Sequence, residues 1–172
     1  MEMLEKLRKA FRERDLPVLK KISNDAIETA AMTEDPGLVS LSLIAYALYK
    51  ILSKPHFLDS ERWAWFALEI DNHLADAQAK KAGFEEEIIK DIMRFDESVG
   101  NYAFDIISQA RIKQASRIYA MGLSMDKAIG LTGADRFEVL SYVGRTKIHD
   151  RPFTSNKSVV DRYKKLRELM EE

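Results

Sequence analysis

Apolar residues recur every three to four positions along much of this chain, which is the period of an amphipathic α-helix. The pattern predicts one helix over residues 1–14 and a second over 17–32. A third helix is predicted over 37–53, after the strong Glu-Asp-Pro-Gly turn signal of 34–37. This third segment is apolar on almost every side, so we expect it to lie at the centre of a helical bundle.

A fourth helix is predicted after the Lys-Pro-His break that ends the third, with Asp59 or Ser60 as its N-cap. Trp63 and Phe66 are three positions apart and share a helical face, so we expect both of them in the core. Trp65 points elsewhere on the same helix and is expected to be partly exposed.

The segment 84–121 could form one helix or two. A single helix would have about 38 residues, against a usual length of about 11. We therefore expect a break near 98–101 and a new helix from Tyr102. The sequence has no run of alternating β-branched residues. The expected fold class is all-α, a multi-helix bundle followed by two short helices around a glycine turn and then a C-terminal helix.

Those two short helices lie in the segment 115–146. Ser124 is expected to cap the first of them, over 125–132, and Gly133 to form the turn. Asp135 is expected to cap the second, which runs to position 143. The residues expected to face inward are Ala128, Ile129, Val139, Leu140 and either Tyr142 or Val143.

The spacing within this segment carries a resemblance to a known class. Residues 122–144 read GLSMDKAIGLTGADRFEVLSYVG. This run resembles the helix-turn-helix of small prokaryotic antitoxin-type and repressor-type proteins, which often read G-x-S-x-x-x-A-A-x-x-x-G-x-S-R-W-E-x-L. The matching residues are Gly122, Ser124, Ala128, Gly133, Arg136, Glu138 and Leu140. Phe137 stands at the aromatic position, Ile129 replaces the second alanine, and Asp135 replaces the usual serine.

The resemblance implies that the second short helix enters the major groove of DNA with its N-terminal residues at the base edges. Arg136 suits guanine because its guanidinium can donate two parallel hydrogen bonds. Asp135 and Glu138 oppose this role, since their carboxylates repel phosphates. The residues expected to contact DNA are Ser124, Lys127, Asp135, Arg136, Phe137, Ser141 and Arg145.

The implied function is a DNA-binding regulator. An alternative left open is a protein-interaction module, antitoxin-like or adaptor, in which these two short helices contact protein. The two carboxylates at Asp135 and Glu138 would not oppose that function.

Charge is distributed unevenly along the chain. Residues 1–100 carry 14 basic and 19 acidic side chains, a net charge of −5, whereas residues 101–172 carry 13 and 9, a net charge of +4. A modest positive excess around the two short helices is what a weak phosphate-binding face would show.

The expected organisation is a helical bundle over 1–121, a helix-turn-helix over 122–146, and a linker with a C-terminal helix over 147–172, together forming one compact unit. The narrow apolar stripe of the last helix could dock on the body, bind a protein partner or pair two subunits. Reading a symmetric operator would require such a homodimer.

A third possible function is that of a metal-dependent enzyme. Glu69, His73 and Asp76 lie at i, i+4 and i+7 of the fourth helix, so they share one stripe. Helical bundles build metal sites from several helices at once. The acidic residues that the next helix could add are Glu85, Glu86, Glu87 and Asp91. A solvated acidic face would account for the same residues.

Other chemistry finds little support in the sequence. There is no cysteine, nucleophile elbow, phosphate-cradling glycine loop or zinc-protease motif, so we expect no cofactor. The longest apolar run, residues 38–52, is too short to span a bilayer. We therefore expect no membrane partner and a cytoplasmic location.

Overall fold

The computed structural model describes residues 2–79, 83–99 and 105–145. Within these ranges the chain is 84% helical, with nine helices and no strand, which confirms the all-α class. The helices are α1 (Glu2–Arg12), α2 (Leu16–Thr33), α3 (Pro36–Leu52), α4 (Pro55–Leu58), α5 (Trp63–Gln78), α6 (Phe84–Val99), α7 (Ile106–Ala120), α8 (Met125–Thr132) and α9 (Arg136–Arg145). The predicted C-terminal helix and its dimer contact lie outside the described residues.

Aspartate caps and prolines set several of these boundaries. Asp15 accepts a hydrogen bond from the Val18 amide at 3.0 Å at the start of α2, and Asp35 accepts one from Gly37 at 2.8 Å at the start of α3. Each cap is followed within two residues by a proline in the first helical turn, where no backbone donor is lost. The sequence placed these two helices to within one residue of the described ends.

One predicted boundary was wrong, and another falls outside the described residues. Asp59 and Ser60 do not cap α5, because Asp59 is the C-cap of a short helix, α4, and α5 begins only at Trp63, with Arg62 at its N-cap position. The predicted start of the sixth helix, Tyr102, lies outside the described residues. The described helix α7 begins at Ile106, after Asp105, which is non-helical and accepts the Ile107 amide at 2.9 Å as an N-cap. The expected division of 84–121 into two helices is confirmed, since α6 and α7 are separate elements.

Helix α3 lies at the centre, as its apolar sequence predicted. It packs against α2, α4, α6, α7 and α8. The main hydrophobic cluster fills the space between α3 and α1, α2, α5 and α6. Phe66 is fully buried there and stacks on Phe95, with ring centroids 4.2 Å apart and an interplanar angle of 10°. Trp63 was expected in the core but is only half-buried against this cluster, whereas Trp65 is 41% exposed, as expected.

A second hydrophobic cluster holds the two short helices against the bundle. Ala128 of α8 and Val139 of α9 are fully buried against α7, with Ala134 between them. Leu140 was expected to face inward but is 45% exposed. The inward stripe of α9 is Val139 with the half-buried Tyr142 and Val143, and Leu140 is about 100° of helix rotation away from Val139.

No helix in the described ranges combines the length and the apolar character needed to cross a lipid bilayer.

An ion cluster joins α1 to α5. The Asp71 carboxylate accepts hydrogen bonds from Arg8 Nε and Nη2 at 2.8 and 2.9 Å, and from Arg12 Nε and Nη2 at 2.6 and 2.7 Å. Planar guanidinium groups suit this two-point contact with a carboxylate. The hydrogen bonds from Arg8 and Arg12 hold the pKa of Asp71 well below its ordinary value of 3.8.

Asp71→Asn is expected to lower the free energy of unfolding at pH 7 by about 1–2 kcal/mol, because a neutral amide loses the charge-assisted bonds. Since the folded-state pKa of Asp71 is lowered, its stabilisation is complete above about pH 5 and is lost as the pH falls further. Urea unfolding at several pH values measures this: the gap between wild type and variant should narrow on acidification. Asp25→Asn, at an exposed carboxylate of α2, is the control, and an equal loss in both variants would contradict the assignment.

Candidate functional site

The segment from Ser124 to Arg145 adopts the two short helices expected from the sequence. Ser124 Oγ accepts the Lys127 amide at 3.2 Å and caps α8. Gly133 ends α8 with φ 66° and ψ 26°, the left-handed conformation that glycine adopts at least cost. Asp135 Oδ1 accepts the Glu138 amide at 3.0 Å at the start of α9. The predicted bounds and caps of α8 are confirmed, and α9 extends two residues beyond its predicted end.

All seven residues predicted to contact DNA lie on the surface. Four of them already have a partner within the chain. Ser124 and Asp135 form the helix caps described above. Lys127 Nζ lies 2.5 Å from Glu34 Oε2, and Arg136 forms an ion pair with Asp126. These surface ion pairs are weak enough to be exchanged for other anions.

The other three residues form one stripe along α9. Phe137, Ser141 and Arg145 are four residues apart, so they lie on the same side of the helix. Phe137 is 79% exposed, the highest value among the large apolar side chains of the described ranges. The stripe therefore offers an aromatic ring, a hydroxyl and a guanidinium to the outside.

This stripe borders a cavity of about 650 Å³ between α9, α7 and α3. We call it the α9 groove. Its lining residues are Tyr46, Lys50, Gln109, Ile112, Lys113, Phe137, Glu138, Ser141, Tyr142 and Arg145. The stripe on α9 thus forms one side of an open cavity, and α3 and α7, which are distant in the sequence, form the other side.

The α9 groove is positively charged. Lys50, Lys113 and Arg145 line it, against the single carboxylate of Glu138. Lys113 Nζ donates a hydrogen bond to Tyr142 Oη at 3.0 Å and lies 5.4 Å from that ring's centroid. These contacts hold the lysine ammonium at the groove wall.

A tyrosine accompanies the second groove lysine. Lys50 Nζ lies 5.6 Å from the centroid of the Tyr46 ring. Burial raises the pKa of Tyr46 to about 12, so its phenol stays neutral at physiological pH and does not cancel the lysine charge.

The sequence matches no protein-family model, and neither a curated protein nor a solved structure is significantly similar to it. The observations that bear on a function are therefore the geometry and charge of α8, α9 and the α9 groove.

The sequence did not predict that residues of α3 and α7 line the α9 groove. Tyr46 and Lys50 are far from α9 in the chain and carry no motif. One signal was available: Lys50 is the only charged residue of α3, and it lies near the end of an otherwise apolar helix. A lysine in that position indicates that one end of the central helix reaches the surface.

The structure corrects the predicted metal ligands. Glu69 and His73 lie together, but the third member of their cluster is Asp91 of α6 and not Asp76. Residues on one helical stripe point in similar directions and cannot surround an ion, whereas the neighbouring helix can supply a ligand from the opposite side. Asp91 was named from the sequence only as an additional contributor, because the sequence does not show which acidic residue of α6 faces His73.

Proposed function

We propose that this protein is a regulator that binds duplex DNA through α9, with the cations of the α9 groove holding the phosphate backbone. The observation that carries the proposal is the outward stripe of Phe137, Ser141 and Arg145 beside Lys50 and Lys113. The resemblance of 122–144 to the helix-turn-helix of repressor-type and antitoxin-type proteins agrees with it. Acting as a regulator, the protein would work in the cytoplasm.

The exposed side of α9 suits the major groove. An α-helix with its side chains is about 10–12 Å across, and the major groove of B-DNA is about 12 Å wide. Ser141 can donate to or accept from a base edge, and the Phe137 ring can contact a thymine methyl group. Arg136 would reach a base after leaving Asp126, because that ion pair lies at the surface.

The electrostatic part of binding would come mainly from the α9 groove. The α8–α9 segment itself is neutral, since three carboxylates balance three basic side chains: Asp126, Asp135 and Glu138 against Lys127, Arg136 and Arg145. Lys50 and Lys113 supply the excess positive charge from outside the segment. A phosphate strand lying along the groove would contact both lysines and Arg145.

Fluorescence anisotropy with a labelled mixed-sequence duplex of about two helical turns tests the proposal. We expect a dissociation constant of roughly 1–100 µM at 50 mM salt. The logarithm of the association constant should fall with the logarithm of the salt concentration with a slope of about −2.7, from three phosphate contacts. A single strand of the same sequence is the matched competitor and should compete less well. Unchanged anisotropy up to about 100 µM protein, or a slope near zero, would exclude DNA as the partner of α9.

A protein partner for α9 is the second candidate function. Phe137 and Leu140 are three residues apart and 79% and 45% exposed, which suits the apolar groove of a partner protein. Asp135 and Glu138 would be tolerated in such a contact. The absence of duplex binding in the titration above would favour this function, whereas binding with the expected salt slope would favour DNA.

A further inference from the structure

A histidine and two carboxylates meet between α5 and α6. Glu69 and His73 are four residues apart on one side of α5, and Asp91 of α6 faces them. One nitrogen or oxygen atom from each of the three side chains lies within 4.8 Å of the other two. The cluster is independent of the α9 groove, because none of its members lines that cavity.

The two carboxylates of this cluster are unequally paired. The side chain of Asp91 is only 5% exposed, and its Oδ2 and Oδ1 lie 3.0 Å from His73 Nε2 and 3.3 Å from Arg94 Nη1. Glu69 is half-buried and makes no hydrogen bond or ion pair with another residue of the described ranges. Two carboxylates at this separation repel each other unless a cation lies between them.

We propose that Glu69, His73 and Asp91 bind a divalent transition-metal ion. The imidazole nitrogen favours zinc and its neighbours in the first row over magnesium or calcium, which prefer sites built of oxygen alone. Three protein ligands leave at least one coordination position open to water or another small molecule.

One of the three donor–donor distances already fits such an ion. Donor atoms bound about 2.1 Å from one metal lie about 3.0 Å apart when cis in an octahedron, and about 3.4 Å apart in a tetrahedron. His73 Nε2 and Asp91 Oδ2 are 3.0 Å apart, which matches the octahedral edge. The Glu69 ligand atom lies within 4.8 Å of the other two and would move closer to complete the set, while Arg94 can continue to hold the second oxygen of Asp91.

A purely structural link between the helices would need His73, Asp91 and Arg94 but not Glu69. Metal binding requires the Glu69 carboxylate, whereas a hydrogen-bonded link does not. Glu69→Gln is therefore the diagnostic change, and it keeps the size of the side chain. Asp76→Asn is the matched control, since Asp76 is an acidic residue of the same helix outside the cluster.

Isothermal titration calorimetry of the tag-free full chain with Zn²⁺ tests the site. Wild type should bind one equivalent, and Glu69→Gln and His73→Ala should each weaken binding by about tenfold or more. Asp76→Asn should stay within about twofold of wild type, and Mg²⁺ should give no comparable heat. No Zn²⁺ binding by wild type, or an equal loss in Asp76→Asn, would overturn the proposal.

Thermal unfolding provides a second readout that does not depend on His73→Ala folding normally. In a chelator, Glu69→Gln should melt at or above the temperature of wild type, because the substitution removes carboxylate repulsion. Added Zn²⁺ should raise the midpoint of wild type by several degrees and leave that of Glu69→Gln almost unchanged. Equal Zn²⁺ shifts in both proteins, or a large loss of stability of Glu69→Gln in chelator, would contradict the assignment.

Discussion

Phe66→Ala is expected to lower the free energy of unfolding by about 3–5 kcal/mol. Phe66 is fully buried, stacks on Phe95 at 4.2 Å, and has the rings of Trp63 and Phe11 at 5.9 and 6.5 Å. Truncation leaves a cavity at the meeting point of α1, α5 and α6, which the remaining rings cannot fill without moving. Urea unfolding at 25 °C followed by circular dichroism measures the loss.

Leu68→Ala is the matched control for this change. Leu68 lies two residues further along α5 and is 59% exposed, so its truncation should cost less than about 0.5 kcal/mol. A cost below about 1 kcal/mol for Phe66→Ala would show that the aromatic cluster is not the centre of the core.

The largest functional effect is expected when the three cations of the α9 groove are removed together. Lys50→Ala, Lys113→Ala and Arg145→Ala should weaken duplex binding by roughly 100-fold at 50 mM salt and bring the salt slope close to zero. The reason is that each lost phosphate contact removes about 0.9 from the slope. Anisotropy titrations at a series of salt concentrations measure both quantities.

A second triple variant with the same change in net charge is the control. It distinguishes the loss of the groove cations from a general loss of positive charge on the protein. Lys9, Lys20 and Lys21 are exposed residues of α1 and α2 that do not line the α9 groove. Their replacement by alanine should change the affinity much less than the groove triple. Equal losses in the two triples would indicate non-specific attraction and contradict a defined phosphate path.

Much of the fold could be predicted from the sequence, because the helix ends depend on hydrogen bonds between residues close together in the chain. Asp15, Asp35 and Ser124 are caps whose hydrogen bonds reach only two or three residues along the chain, so the helices that they start were placed correctly. Gly133 ends α8 for an equally local reason, the left-handed φ that it adopts. The almost entirely apolar sequence of α3 likewise predicted its central position.

The features that could not be predicted from the sequence depend on how helices that are distant in the chain pack together. Lys50 and Lys113 reach the α9 groove only because α3 and α7 meet beside α9, and Asp91 joins Glu69 only because α6 lies on α5. The periodicity of apolar residues along the chain does not predict these helix–helix contacts. The prediction that Leu140 faces inward was wrong for a different reason. Helix α9 is short, and two overlapping apolar stripes were compatible with its sequence.

Photo-cross-linking from α9 tests the central claim most directly. Phe137→p-benzoylphenylalanine places a reactive aromatic group at the exposed end of the stripe, and Trp65→p-benzoylphenylalanine places the same group on α5, at a residue that is 41% exposed. If α9 lies in a DNA groove, irradiation with duplex at low salt should cross-link DNA to position 137, much less to position 65, and the product should disappear at high salt. Equal cross-linking at the two positions, or none at position 137 under conditions where the duplex is bound, would contradict the account.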